Sequence, residues 1–424
     1  MAEKTSRIPG FFKLPPQERL KRVAEIAGLD EAAVSHMSNT GNLSAESADA
    51  MIENVIGTMN VPVGVATNLI VDGEETLVPM ATEESSVVAA VSNAARQCRD
   101  SGGFHTAMSG ALMIAQVQLV DVPNPEFARL QILEHRDDIR AICDETDPVL
   151  SQHGGGFRDV EVRVLEGRSG AMVVTHLIVD TRDAMGANAV NSMAEAVAPA
   201  IAQWTGGRTY LRILSNLADR RLARARATWT PEAIGGASVR DGMIAAYDFA
   251  EVDPYRAATH NKGIMNGVSA VVLATGNDTR AVEAGAHAYA AQTGSYRSLT
   301  RWEVDAEGNL TGTLEMPLAV GLIGGATRSH PTARVCLDIM GVTTAERLAR
   351  NIAAVGLAQN FAALKALATT GIQKGHMALH AKNIAVMAGA TGDEVDAVAQ
   401  ELVAGGTVRV DIAEAVLARL RGQG

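Results

Sequence analysis

The chain has 424 residues, of which 47% are hydrophobic, 20% are charged and only 4% are aromatic. This length is enough for two or three domains, and the composition is that of a globular protein with a core of aliphatic side chains. With 37 basic and 48 acidic residues, the formal net charge is −11. That charge argues against a nucleic-acid partner, because phosphate binding requires a concentrated basic surface.

The cysteines and the N-terminus bear on the location of the protein. Cys98, Cys143 and Cys336 are widely spaced and form no C-x-x-C pair, so we expect reduced, buried thiols. The N-terminus contains Lys4 and Arg7 and no apolar stretch, which is not typical of a signal peptide. No uninterrupted apolar run approaches the ~20 residues that a membrane span needs. We therefore expect a cytoplasmic protein with no membrane partner.

The first hundred residues alternate between helix and strand signals. Asp72-Gly73 is a strong hairpin turn, and Gly102-Gly103 is typical of the end of a helix. The predicted elements are a helix over 18–28 after Pro15-Pro16, strands over 61–71 and 75–79, and a helix over 85–100.

Residues 108–216 follow an order of their own. The predicted elements are a strand over 112–122, a helix over 124–144, strands over 159–165 and 172–180, a helix over 186–204 and a strand over 210–214. Asn124-Pro125 opens the first of these helices. The order βαββαβ is typical of a split-βαβ, ferredoxin-like domain. We therefore predict a small ferredoxin-like domain over 108–216, inserted within a larger one.

The rest of the chain predicts a mixed α/β region and a helical end. The predicted elements are a strand over 270–275, a helix over 277–292, a strand over 310–317, a turn at 321–325 and an Ala-rich helix over 344–370. A short helical appendage follows, with loops at 389–392 and 405–406. The predicted fold is α+β: a large mixed α/β domain (1–107 and 217–374), the inserted small domain, and a C-terminal helical lid (375–424).

A binding site for a phosphate is predicted directly after the strand that ends at residue 180. No G-x-G-x-x-G fingerprint occurs, which disfavours a Rossmann fold. The better candidate is Asp183-Ala-Met-Gly-Ala-Asn188 with Asn191. Gly186 lies there at a predicted helix N-terminus, whose free N–H groups and dipole favour an anion. Taken alone, the same residues are also explained by an ordinary capped helix.

Seven segments, in order and at family-like spacing between residues 5 and 420, resemble the hydroxymethylglutaryl-CoA reductase family. They are Glu53-Asn-Val-Ile-Gly57, Pro79-Met-Ala-Thr-Glu-Glu84, Asp183-Ala-Met-Gly-Ala-Asn188, His260-Asn-Lys262, Thr275-Gly-Asn-Asp278, Gly321-Leu-Ile-Gly-Gly-Ala326 and Lys374-Gly-His-Met377. Each segment is weak evidence alone, but their combination is specific. Without a membrane-anchor segment, the chain looks like the soluble bacterial class (class II).

The resemblance implies an oxidoreductase that interconverts 3-hydroxy-3-methylglutaryl-CoA and mevalonate plus CoA by two hydride transfers. Each hydride addition places negative charge on an oxygen, so a fixed cation is needed beside it. The family's catalytic lysine falls on Lys262 and its acid on Glu84, with Glu83 the neighbouring alternative. Asp278 would lie between these two groups and couple their titrations.

The resemblance also implies a proton donor for the departing CoA thiolate. The family's donor falls on His376, and imidazole suits this task because it titrates near neutrality. His380 lies one helical turn further on and is the alternative. Since His376 opens the C-terminal appendage, we expect that appendage to close as a lid over the substrates.

Binding residues are implied in the same way. Arg256 would pair with the free carboxylate of the hydroxymethylglutaryl group. Further substrate contacts fall on Glu53, Ser86 and Asn266, and cofactor contacts fall on Asp183, Met185, Gly186, Asn188 and Asn191. No metal site is implied.

The implied cofactor is NAD, with NADP as the alternative. Asp147 matches a position where an acidic side chain accepts from a ribose 2′-hydroxyl, and a carboxylate there would repel a 2′-phosphate. Asp144 and Glu145 add negative charge, whereas Arg140 reduces it. NAD would suit a catabolic enzyme that oxidises mevalonate. The relatives are homodimers with shared active sites, often trimers of dimers, so self-association is expected.

Two other classes of function are left open by the residues alone. One is a CoA- or nucleotide-dependent transferase that uses Gly321-Leu-Ile-Gly-Gly325 as a phosphate loop and needs no nicotinamide. The other is a non-catalytic oligomeric scaffold built on the Ala-rich helices. A scaffold predicts that replacing Lys262 or His376 has no measurable effect.

Overall fold

The computed structural model describes residues 5–41, 43–369 and 372–422, without the side chains of residues 328 and 372–379. The strands are β1 Val63–Val71, β2 Glu74–Ala81, β3 His105–Met108, β4 Leu112–Val120, β5 Gly156–Gly167, β6 Gly170–Asp180, β7 Arg208–Leu214, β8 Leu222–Trp229, β9 Thr300–Val304 and β10 Leu310–Pro317. The first helices are α1 Pro16–Ala27, α2 Glu31–Ser38, α3 Ala45–Asp49, α4 Val87–Cys98, α5 Pro125–Glu134, α6 Arg136–Thr146, α7 Pro148–Gln152 and α8 Ala187–Thr205. They are followed by α9 Pro231–Ile234, α10 Ala237–Val252, α11 Pro254–Ala274, α12 Thr279–Ala290, α13 Ala326–Ser329, α14 Pro331–Met340, α15 Ala345–Ala368, α16 Ile372–Met387, α17 Asp393–Ala404 and α18 Val410–Leu420.

The predicted hairpin is confirmed. β1 and β2 pair antiparallel, with Val71 opposite Glu74. Asp72 and Gly73 between them both have positive φ, 54° and 83°. Two left-handed residues in a two-residue turn match the right-handed twist of the flanking strands.

The predicted ferredoxin-like domain is confirmed by the order of its strands. They form an antiparallel sheet in the order β5-β6-β4-β7, and α5, α6 and α8 pack on it around one apolar core. The single helix predicted over 124–144 is wrong, since it is broken at His135 into α5 and α6. The His135 ring stacks on Trp204, with ring centroids 4.0 Å apart. The break allows both helices to bury an apolar face, through Ile132 and Ile139, in the same core.

A second four-stranded sheet, in the order β3-β8-β10-β9, belongs to the larger part of the molecule. The predicted Ala-rich helix is confirmed as α15, which is buried along most of its length, and α11 packs against it. The strand predicted over 270–275 is wrong, because those residues form the last turns of α11. Val271 and Val272 are both fully buried there. A short apolar run that is buried on all sides has the same pattern in a helix and in a strand.

Among the described residues, the three largest apolar cores lie in different parts of the molecule. One holds the first two sheets with α4, α11 and α15, one holds the ferredoxin-like sheet, and one lies between α16, α17 and α18. The exact domain boundaries at 107, 216 and 374 stay a prediction.

No helix of the described residues is long and apolar enough to cross a bilayer. The three cysteines are free and buried, as expected. Burial raises the pKa of each thiol to about 12, so the three behave as small apolar side chains.

Candidate functional site

Three loops that are distant in the sequence meet at one place. They are residues 181–186 before α8, 275–278 before α12, and 320–327 after β10. The Leu322 N–H donates to the Asp183 carbonyl at 2.8 Å, and Ala184 forms an isolated parallel β-bridge with Ile323. The Asn277 side-chain oxygen accepts from the Gly321 N–H at 2.8 Å. Three of the seven sequence motifs are thereby joined into one structure.

Two glycines allow the close packing of these loops. Gly186 has a φ of 97°, and a Cβ on it would lie 2.3 Å from Thr181 Cγ2. A Cβ on Gly321 would lie 2.4 Å from the Met185 nitrogen. Both distances are far shorter than an ordinary van der Waals contact, so a side chain on Gly321 would force two loops apart and one on Gly186 would distort its own loop.

The predicted cofactor residues lie around the N-terminus of α8, and they differ in what their side chains do. Gly186 is the N-cap and provides no side-chain cap, so the first N–H groups of α8 have no side-chain acceptor at that position. Asn188 is exposed, and Met185 is half-buried against the small-domain core. Asn191 Oδ1 accepts from the Leu214 N–H at 2.8 Å and ties α8 to β7.

Asp183 has a structural bond of its own. Its carboxylate accepts from the Ala345 N–H at 2.7 Å, at the start of α15. An acidic group at a helix N-terminus stabilises that helix. The loop before α8 is therefore fixed to the longest helix of the large core.

Lys262 and Glu84 come together from different elements. Glu84 follows β2, Lys262 lies in the middle of α11, and Lys262 Nζ is 3.0 Å from Glu84 Oε2. The side chains are 62% and 38% exposed, so this ion pair is open to a ligand. Glu83 is exposed, and the ion pair is made by its neighbour Glu84. The pair joins a fixed cation to a carboxyl group, which is the combination that carbonyl chemistry needs.

The expected position of Asp278 between Lys262 and Glu84 is not the one observed. Its carboxylate accepts from the Arg280 and Ala281 N–H groups as the N-cap of α12, and it pairs with Arg280 at 3.1 Å. Burial raises the pKa of Asp278, but the hydrogen bonds from Arg280 and the helix outweigh it and leave the pKa below its ordinary value. The start of α12 holds this carboxylate, while Lys262 and Glu84 bond directly.

Two predicted substrate residues share a helix with Lys262. Asn266 lies one turn after Lys262 on the same face of α11, and Arg256 lies near the start of that helix. Arg256 is half-buried, and burial lowers the pKa of its guanidinium. Ser86, two residues after Glu84, has a φ of 75° and is the N-cap of α4. Glu53 lies exposed in a turn before β1, outside the elements that carry Lys262 and Glu84.

The structure leaves the proton donor untested. His376 belongs to α16, but its side chain lies outside the described residues. His380, the alternative, is exposed on the same helix.

Both acidic and basic side chains lie near Asp147, the residue predicted to select between NAD and NADP. Asp147 caps α7 by accepting from the Leu150 N–H at 2.9 Å, and Asp144 accepts from Ser151 Oγ at 2.9 Å. Close by, Arg158 and Arg182 both donate to the Gly154 carbonyl. Both guanidiniums also lie within ion-pair distance of Asp180. Arg140 lies over the Phe157 ring, 5.1 Å from its centroid.

The sequence analysis missed Arg221, which connects two of the three loops. Its context, Asp219-Arg-Arg221, is charged and typical of a surface segment, yet Arg221 is fully buried. Nothing in the local pattern distinguishes it from Arg220, which is exposed and pairs with Glu161 at 2.6 Å.

Comparison with known proteins decides the family. The family model for hydroxymethylglutaryl-coenzyme A reductase matches residues 15–381, which is most of the chain. The chain belongs to the hydroxymethylglutaryl-coenzyme A reductase family. As a member of this reductase family it is an oxidoreductase, and the prediction made from the seven motifs is confirmed.

Individual reductases agree with this assignment. The chain is 58% identical to 3-hydroxy-3-methylglutaryl-coenzyme A reductase from Archaeoglobus fulgidus over 417 residues, which is 98% of this chain and 95% of the relative. It is 36% identical to a probable reductase from Borreliella burgdorferi, over 79% of this chain and 77% of that protein.

Solved reductase structures confirm the fold and the class. The reductase from Streptococcus pneumoniae matches with a TM-score of 0.84 and 38% identity, covering 97% of this chain and 99% of that one. A structure of the class II enzyme from the same organism, bound to NADPH in open conformations, matches with a TM-score of 0.83 and 38% identity, over 85% of this chain and 99% of that one. The chain is therefore similar to class II reductases over nearly its whole length.

Proposed function

We propose that the chain interconverts 3-hydroxy-3-methylglutaryl-CoA and mevalonate plus CoA, with NAD as the cofactor and mevalonate oxidation as the working direction. The observation that carries this proposal is the 3.0 Å pair of Lys262 Nζ and Glu84 Oε2 in the open, on two different elements. The pair brings together a lysine and a carboxylate that are 178 residues apart in the chain.

The pair has a defined task at the reacting carbon. In the reductive direction the thioester becomes a hemithioacetal, then an aldehyde, then an alcohol, and each addition places charge on the same oxygen. Lys262 donates to that oxygen and stabilises its negative charge. Glu84, bonded to Lys262, delivers the proton that the oxygen finally takes, and it accepts that proton in the oxidative direction. Asp278 acts from the start of α12 on the electrostatics of the pair.

The residues before α8 fit a nicotinamide dinucleotide. The N-terminus of α8, with Gly186 as its N-cap and no side-chain cap, offers backbone N–H groups to a pyrophosphate. When bound, the nicotinamide supplies or accepts the hydride. Asp183 and Asn191 fix the loop and the helix that would hold it, and Met185 and Asn188 are the further cofactor contacts of the proposal.

The substrate contacts follow from α11 and the start of α4. Arg256 pairs with the free carboxylate of the hydroxymethylglutaryl group, which offsets the cost of its partial burial. Asn266 and Ser86 donate to the same group, and Glu53 forms part of the wall of the site. His376 protonates the departing CoA thiolate. The helices α16–α18 have a core of their own and act as a lid over the substrates.

The cofactor preference depends on charge near the adenosine ribose. The half-buried carboxylates of Asp147 and Asp144 favour a 2′-hydroxyl and repel a 2′-phosphate. NADP is the second candidate, for two reasons. Arg158 and Arg182 lie close to the Gly154–Gly156 segment, and the similar Streptococcus pneumoniae enzyme has been solved with NADPH.

Self-association is part of the proposal. The segment that contains Glu53 exposes three large apolar side chains, Ile52, Ile56 and Met59. An apolar segment of this kind is typical of a surface that another subunit covers. We propose a homodimer, or a trimer of dimers, in the cytoplasm.

The function is tested by the absorbance of the reduced nicotinamide, with mevalonate, CoA and either NAD⁺ or NADP⁺. We expect reduction of NAD⁺ that requires both mevalonate and CoA and is lost in Lys262→Ala. Preference for NADP⁺ would keep the reaction and overturn the cofactor assignment. No reaction by folded protein in either direction, with either cofactor, would overturn the proposed function.

A further inference from the structure

Arg221 lies beneath two of the loops that form the candidate cofactor site. Its side chain is fully buried. Nη1 donates to Thr181 Oγ1 at 2.8 Å, to the Ala184 carbonyl at 3.0 Å and to the Met185 carbonyl at 3.5 Å. Nη2 donates to the Val320 carbonyl at 2.6 Å. One guanidinium therefore bonds both the loop before α8 and the residue that precedes Gly321.

The charge of Arg221 has no direct counter-ion. No carboxylate of the described residues lies within ion-pair distance of it, and its acceptors are neutral oxygens. The nearest acids that influence it, Asp180 and Asp183, are engaged elsewhere. Asp180 pairs with Arg158 and Arg182, and Asp183 accepts from the Ala345 N–H. Burial lowers the pKa of Arg221 to about 10, so the group keeps its charge near neutral pH.

A buried cation without a counter-ion is costly, and Arg221 has a further deficit. Its Nε is buried and has no hydrogen-bond partner among the described residues. Buried charges in proteins are normally paired. Arg221 therefore carries a positive charge that no direct ion pair neutralises beneath the loops, and an anion above them would offset part of its burial cost.

The geometry of the peptide bond fixes which way the backbone N–H groups of the loop before α8 point. In a trans peptide the carbonyl and the N–H of one unit point in opposite directions. Because the Ala184 and Met185 carbonyls face Arg221, the N–H groups of Met185 and Gly186 point away from it. Arg221 thus sets the orientation of the backbone donors at the start of α8.

We propose that Arg221 is a positioning residue for the nicotinamide dinucleotide, which fixes both loops from beneath and favours the pyrophosphate by its unpaired charge. This role rests on the proposed function, since it concerns the same cofactor site. It differs from a purely structural role, which would affect folding and every ligand alike.

The test compares Arg221→Gln, which removes the charge, with Arg221→Lys, which keeps it. The control is Arg208→Gln, which removes an exposed cation paired with Asp121 at the other end of β4. For each variant we would measure the dissociation constants of NADH and NADPH by fluorescence titration, the KM for mevalonate and the melting temperature.

We expect Arg221→Gln to weaken binding of the preferred cofactor at least tenfold, and Arg221→Lys to recover a large part of that loss. The KM for mevalonate should change less than twofold, and Arg208→Gln should match the wild type. Unchanged cofactor binding in folded Arg221→Gln would overturn the inference, and so would losses that are equal for cofactor and mevalonate and not relieved by lysine.

Two further outcomes are decisive. If Arg221→Gln does not fold, Arg221→Lys carries the test alone, because it has fewer donors. A several-fold rise in the cofactor dissociation constant supports the inference, and no rise overturns it. A wild-type protein that binds neither NADH nor NADPH overturns the proposed function as well, whereas normal wild-type binding with unaffected variants overturns the role of Arg221 alone.

Discussion

Lys262 shows how much a single residue depends on its surroundings. In the sequence it is one of 37 basic residues, and in the structure its side chain is largely exposed, like most lysines. Its 3.0 Å bond to Glu84, brought in from the end of β2, is what sets it apart. The motif in the sequence identified the residue, and the fold supplied its partner.

Replacing Lys262 by alanine should reduce turnover by about 10²–10³-fold, because one preorganised group that stabilises an oxyanion contributes about that much. Binding of the nicotinamide should be unchanged within about twofold, since the loops before α8 do not involve Lys262. Steady-state kinetics and a cofactor titration measure the two effects. Lys21→Ala, which removes an exposed lysine on α1, serves as the control. Near-normal turnover by Lys262→Ala would contradict the assigned role.

Glu75 gives a prediction about pH. Its carboxylate accepts from the Ser6 N–H at 2.7 Å and pairs with Arg99, and it is half-buried. Burial raises the pKa of Glu75, but Arg99 and Ser6 outweigh it and leave the pKa below the ordinary 4.5. A lowered carboxyl pKa contributes stability that is complete above the unfolded value and is lost as the pH falls through the folded value.

We therefore expect Glu75→Gln to lower the free energy of unfolding by about 1–3 kcal/mol at pH 7. The difference from the wild type should shrink as the pH falls below 4.5. Denaturant unfolding at several pH values measures this. Glu25→Gln, which breaks an exposed pair with Arg22, should change the stability by less than about 1 kcal/mol. A difference for Glu75→Gln that grows at low pH would contradict the expected sign.

At the scale of elements, the start of α8 and the end of α11 show where local sequence signals are sufficient and where they are not. The start of α8 was predicted correctly, because Gly186 and the preceding strand are local signals. The end of α11 was predicted as a strand, because Val271 and Val272 are buried on all sides and leave no helical period.

Gly186→Ala and Gly206→Ala, at the two ends of α8, distinguish backbone strain from steric overlap of a new Cβ. Both glycines have positive φ, 97° and 71°, so alanine should cost about 1–2 kcal/mol of stability at either position. Of the two, only Gly186 has atoms in the way, with Thr181 Cγ2 at 2.3 Å, while no atom of the described residues lies within 4 Å of a Cβ on Gly206. We therefore expect Gly186→Ala alone to raise the cofactor KM, by about tenfold or more. An equal effect of both variants on the cofactor KM would contradict the assigned cofactor loop.

For the whole molecule, the candidate residues for catalysis and for cofactor selection lie in different parts. Lys262, Glu84 and Arg256 belong to elements of the large core, whereas Asp147 and α8 belong to the ferredoxin-like part. Catalysis and cofactor choice should therefore respond to different substitutions. The contact between the two parts runs through the loops that Arg221 and Asn277 hold.

Asp147→Asn tests the cofactor preference without disturbing the helix cap. Asparagine caps helices as well as aspartate does, so α7 should keep its start while the charge is removed. We expect the KM for NADP⁺ to fall about tenfold, with a smaller change for NAD⁺, since repulsion of the 2′-phosphate is relieved. Asp30→Asn, a substitution of the same kind at the N-cap of α2, is the control. No shift in the ratio of the two KM values would contradict the role of Asp147.

The sequence alone determined the family and the ferredoxin-like domain, and it selected Lys262 and Glu84 as catalytic candidates, because these depend on local patterns: turn residues, periodicity and short motifs in a fixed order. Only the tertiary structure decided which groups meet. It placed Asp278 on Arg280 and the Asn191 side chain on β7, and it buried Arg221 while leaving its neighbour Arg220 exposed. The physical reason is that burial and pairing depend on residues far apart in the chain. No local pattern records how such residues are brought together.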